Sequence, residues 1–103
     1  MYYGTGCCDT FSLDHYLSKV ILRNLQGFRD DLVRLPSYPA EMKSVEEWLE
    51  IIDQMIWSHS EIANSFPGEP DIREGGPEKM TAYYEKVQKG LDLFAKHYMN
   101  LWL

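Results

Sequence analysis

The sequence predicts an all-α protein, a three-helix bundle with an irregular N-terminal arm. Three stretches carry apolar residues at the helical period, each forming one wide stripe. Two connections rich in Pro and Gly separate them. At 103 residues the chain is one domain with room for a single modest core, and its residues show no repeat or low-complexity segment.

The first helix is expected over about residues 12–34, with Ser12 as N-cap and Asp14 in the first turn. Leu13, Leu17, Val20, Ile21, Leu25, Phe28 and Leu32 form its expected buried stripe, and Gly27 inside it suggests close packing with a neighbour. "LPSYPAEM" ends the helix, because Pro36 and Pro39 disfavour continuation. The second helix, about residues 44–64, opens with the capping box Ser44 and Glu47. Val45, Trp48, Leu49, Ile52, Met55, Ile56, Ile62 and Ala63 line its apolar side. The loop "NSFPGEPDIREGGP" follows. The third helix is expected over about 77–102, with Pro77 in its first turn and a stripe of Met80, Tyr84, Val87, Leu91, Phe94, Tyr98 and Leu101.

Charge narrows the function classes. The net charge of −6 and pI near 4.9 disfavour direct nucleic-acid binding and an anionic membrane surface. From Glu41 to Glu78 ten acids face two bases, Lys43 and Arg73, whereas the chain from Lys79 onward has four lysines and two acids. No apolar run has the length of a membrane span, and "MYYGTGCCDT" lacks the basic start and apolar middle of a signal peptide. An intracellular protein is expected. Cys7 and Cys8 are adjacent, a poor geometry for bridging each other, and read as reduced thiols in the arm.

The second helix carries the main anomaly. With Val45 set at zero, the apolar stripe centres near ~330°, and Asp53, Glu46, Trp57, Glu50 and Glu61 fall between about 80° and 160°. Trp57 thus lies among acids, although exposing an indole forfeits burial worth about 2 kcal/mol. Either the arm or second loop of the same chain covers it, or Trp57, Glu46, Glu50, Asp53 and Glu61 form a partner-binding surface. Leu22, Val33 and Leu93 also miss their stripes, which favours a second buried surface and a homo-oligomer. In that arrangement the acidic second helix of one subunit would meet the lysines of another's third helix.

Chemistry-bearing constellations are few. Glu46, Glu47 and Glu50 form E-E-x-x-E, which resembles the magnesium-binding helix of all-α nucleotide pyrophosphohydrolases of the MazG type. The E-x-x-D that those enzymes carry on a following helix is missing, so catalysis is not expected. His15, His59 and His97 have no ligand spacing, so neither metal nor cofactor is expected, and His59 reads as a core imidazole. Lys19 and Arg23 on the first helix, with Lys86 and Lys89 on the third, are candidates to clamp a small phosphorylated ligand across a subunit boundary.

"FSLDHYLSKVIL" (Phe11 to Leu22), "SVEEWLEIIDQMIWS" (Ser44 to Ser58) and "KVQKGLDLFAKHYMNLWL" (Lys86 to Leu103) resemble small uncharacterised helical proteins of tailed phages and prophages. The resemblance implies a small protein acting in the cytoplasm of a bacterial host, and it supplies no catalytic residues. The expected function is stoichiometric binding that counters host defence, by engaging a basic host protein or sequestering a phosphorylated nucleotide signal. The alternatives are an assembly or structural accessory role or, less favoured, a magnesium-dependent nucleotide pyrophosphohydrolase of the MazG type.

Overall fold

The computed structural model describes residues 12–102. The expected N-terminal arm, with Cys7 and Cys8, lies outside the described residues. Within them are three helices and no strand: α1 (Leu13–Arg34), α2 (Val45–Ala63) and α3 (Ile72–His97), the last followed by a 3-10 turn at Tyr98–Asn100. The chain is therefore the three-helix bundle that the apolar periodicity predicts. None of the helices described is long and apolar enough to cross a membrane.

Local chemistry accounts for the boundaries. Ser44 Oγ accepts from the Glu47 amide at 3.2 Å, while Glu47 Oε1 accepts from the Lys43 amide at 3.0 Å, so two free donors at the start of α2 are satisfied. Ser12 precedes α1 but makes no side-chain cap. α3 begins earlier than expected because Asp71 accepts from the Arg73 amide at 2.8 Å and nucleates a turn there. Gly76, at φ 69° and ψ −177°, then breaks the helical path in a conformation open essentially to glycine alone. The long uninterrupted run starts at Pro77, as its position in the sequence predicts. α3 ends at His97, short of the expected 102, and Leu101 instead packs against the core.

α2 lies in the middle. It packs against α1 on one side and α3 on the other, and no Cα of α1 comes within 8 Å of a Cα of α3 among the described residues. The result is a slab measuring 44 × 40 × 20 Å. Leu25, Leu32, Trp48, Ile52 and Met55 form its buried centre. The seams are lined partly by small residues. Ser18, Leu25 and Leu32, seven residues apart, are the buried positions of α1, while Val87, Gly90 and His97 are those of α3. A Cβ on Gly90 would overlap Ser58 Oγ and lie 2.5 Å from the Gln54 carbonyl oxygen, so α2 and α3 touch backbone to backbone there.

These seams do not coincide with the apolar stripes. On α1 only Leu25 and Leu32 of the expected buried set are buried, and Leu13, Leu17 and Val20 are 49, 45 and 44% exposed. On α3 only Val87 is buried, and Tyr84 and Tyr98 are exposed. The reason is rotational: each outer helix meets α2 along the flank of its apolar stripe. That rotation carries Leu22 and Leu93 to half-buried positions, while Val33 stays exposed. Among the described residues nothing lies within 4 Å of where a Cβ on Gly27 would sit, so no close packing there requires a glycine.

Candidate functional site

The same rotation builds the most distinctive surface. Val20, Ile21, Asn24, Leu25 and Phe28 of α1, with Phe94 of α3 and Leu101 beyond it, line an open groove of about 310 Å³. The outer helices therefore turn their apolar stripes toward the same side of the slab. Among the described residues no charged side chain lines this groove, and Asn24 is its single polar one. Leu13 and Leu17 continue the row of Val20 and Asn24 toward the start of α1, at the three- and four-residue steps that share a helix face. Loop residue Phe66 covers part of α3's stripe, its ring 5.4 Å from Tyr84, while Tyr84 donates to Glu69 at 2.8 Å.

The opposite side carries the acids of α2, and there the expected site is rearranged. Among the described residues, Trp57 is flanked by α3 rather than by the second loop. It is half-buried against α3, edge-on to Tyr83 at 5.8 Å, with Lys86 Nζ 4.2 Å from its ring centroid. Asp53, Gln54, Trp57 and Lys86 line a shallow depression of about 230 Å³. Asp53 is engaged by Arg29 of α1 in a two-point ion pair, with nitrogen–oxygen distances of 2.5 and 3.2 Å. This contact holds the Arg29 guanidinium above its ordinary pKa. Glu46 and Glu50 remain exposed.

Glu61 does not belong to that surface. It is 8% exposed and accepts from the Tyr83 hydroxyl at 2.6 Å and from the Gly68 amide at 2.8 Å, tying the second loop to both α2 and α3. Burial, and then the hydrogen bond to Glu61, push the Tyr83 phenol well above its usual range. The helical wheel placed Glu61 correctly on the side of Trp57; α3 crosses that side at the C-terminal end of α2 and covers it.

Of the three histidines, His15 is half-buried, while His59, as its pattern suggests, and His97 are buried. His59 is buried, donates from Nδ1 to the Met55 carbonyl at 2.8 Å and stacks edge-on with Phe94 at 5.0 Å. Burial lowers its pKa. His97 is also buried, edge-on to Trp48 at 5.4 Å, with Nδ1 lacking a hydrogen-bond partner and lying 3.8 Å from Glu41 Oε1.

The basic candidates do not converge in one chain. Lys19 and Arg23 line a depression on α1 with Tyr16, Val20 and Asn24, whereas Lys86 lies over Trp57 on α3 and Lys89 is exposed. Of the three glutamates that resemble a magnesium-binding helix, Glu47 is occupied as a cap. No group of three or more His, Cys, Asp or Glu side chains among the described residues is placed to hold a metal ion.

Sequence reasoning missed the apolar face, although a signal for it exists. Ser58 and Gly90 are the small residues at the close contact of α2 and α3, and Ser18 is the small buried residue of α1. Aligning each helix on those residues, rather than on its bulkiest stripe, gives the observed seams and leaves the stripes uncovered. Comparison with known proteins adds nothing to this geometry: no family model matches the chain, and no curated protein or solved structure does.

Proposed function

We propose that this chain is a non-catalytic binding protein whose work is to dock another protein through the apolar side of its slab. The single observation carrying this reading is the convergence of exposed Leu13, Leu17 and Val20 with a charge-free groove. Domains ordinarily bury such surface between two layers, and here one layer is present. In the phage setting that the sequence resemblance implies, docking is stoichiometric and serves either to counter a host defence protein or to complete an assembly.

Site-specific photo-cross-linking tests this. A photoreactive residue at position 20 should cross-link in cells to a defined protein contact identified by mass spectrometry, whereas the same residue at position 50 should not. Absence of any product from position 20 would sink the reading.

A second reading is favoured by the depression at Trp57. There the half-buried indole, with exposed Glu46 and Glu50 on the same side of α2, engages a basic partner. Binding of that kind weakens with salt and is lost in Trp57→Ala.

A further inference from the structure

We propose that the occupant of the apolar side is a second copy of this chain, related to the first by a two-fold axis. The inference rests on the docking role proposed above and names its partner.

The shape favours a copy of itself. The face presents an exposed pair, Leu13 and Leu17, followed along the same helix by a groove lined by Val20, Leu25, Phe28, Phe94 and Leu101. An isologous contact requires each copy to offer both a projection and its receptacle, because a residue touching its counterpart surface is touched in return by the same pair. An exposed pair and a groove side by side on one face meet that requirement, and helix ridges packing into grooves is the ordinary geometry of such contacts.

Charge favours it as well. Two identical faces that carried charge would repel, but among the described residues this groove has none, and Lys19 and Arg23 lie only at its edge, beside Val20 and Asn24. The net charge of −6 is therefore no obstacle, since face-to-face pairing directs the acids of α2 outward, with two slab thicknesses between them. A partner recruited by charge would instead be drawn to the opposite side. The broad side of the slab, 44 × 40 Å in extent, leaves room for the roughly 800 Å² per partner that a standard interface buries. Pairing also doubles the 20 Å slab and gives the core its second layer.

Sedimentation equilibrium on the full chain tests the proposal. At about 50 μM chain, far above the Kd of a standard interface, the wild type should have twice the 12.1 kDa chain mass. Leu17→Asp should halve that mass while far-UV circular dichroism keeps its helical signal, because Leu17 lies off the α2 seam. Leu13→Asp, one turn earlier, gives the same reading if Leu17→Asp fails to fold. The wild-type Tm should rise with chain concentration and that of Leu17→Asp should not.

A wild-type monomer overturns the inference. So does a dimer that survives both aspartates, or one that dissociates in Glu50→Lys on the opposite side. If the chain is monomeric while position 20 still cross-links to a different protein, the docking role stands and only the identity of the occupant is wrong.

Discussion

Gly90→Ala should destabilise the fold although it replaces glycine in the middle of a helix. Helix propensity alone favours the change by about 1 kcal/mol. The added methyl, however, would overlap Ser58 Oγ and sit 2.5 Å from the Gln54 carbonyl oxygen and 2.6 Å from Ser58 Cβ. A side-chain tip could swing aside, but a backbone oxygen cannot, so α3 has to move away from α2 along a seam that also buries Val87 and His97. Overpacking of this kind costs up to about 3 kcal/mol, which leaves a net loss of about 2 kcal/mol, or about 10 °C in Tm for a chain of this length. Urea unfolding followed by circular dichroism at one fixed chain concentration measures it. Gly27→Ala is the internal control: nothing lies within 4 Å of its built Cβ, so the propensity gain of about 0.5–1 kcal/mol should appear undiminished. Ser58→Ala in the Gly90→Ala background should restore only part of the loss, since Cβ and the carbonyl remain. A Gly90→Ala variant as stable as wild type would refute the backbone contact between α2 and α3.

Two further outcomes follow from groups shifted by burial, and a third from backbone conformation. The Tyr83 phenol is raised in the folded state by burial and by Glu61, so its stabilising effect is complete below the unfolded value of about 10 and is lost above it. Stability should fall as pH rises past that point, and Tyr83→Phe should flatten the alkaline limb. His59 is lowered by burial, so its contribution is complete above the unfolded value of about 6.5 and is lost as pH falls toward the folded one. His59→Gln should remove that acid-side slope, measured as the urea midpoint between pH 7 and pH 5. Ser65 holds φ 64° without being glycine, so Ser65→Gly should raise stability by up to about 1 kcal/mol in the same assay.

The helices were legible because each carries a long apolar period and chemical punctuation. Ser44 with Glu47 and Pro77 mark starts that the structure keeps. The early turn at Asp71 was not legible, since its Gly-Gly-Pro neighbourhood reads as loop and only the Asp71 side-chain cap makes it helical. Rotation about each helix axis was the larger gap. Periodicity reports which side of a helix is apolar, whereas the seam is fixed by where two backbones can approach, and Ser58 and Gly90 decide that for α2 and α3. Trp57 shows the consequence: its angle on α2 was right, but nothing local in the sequence said that Tyr83 and Lys86 would lie beside it. Glu61 is the same case with a stronger outcome, a carboxylate expected on a partner-binding surface but enclosed by Tyr83 and Gly68.

The central position of α2 also governs how the fold comes apart. Its contacts with α1 and α3 join sequence neighbours, and among the described residues the backbones of α1 and α3 stay more than 8 Å apart, Cα to Cα. The energetics are therefore additive in the manner of a short tandem array, in which each helix is stabilised by the one before and the one after. Loss of α1 leaves the α2–α3 hairpin with its own hydrogen bonds and aromatic stacks, so sub-global opening at that end is cheaper than global unfolding. Amide protons of α2, held from both sides, exchange last. Low contact order of this kind also makes for rapid folding, since no long loop has to close before the first hairpin is productive.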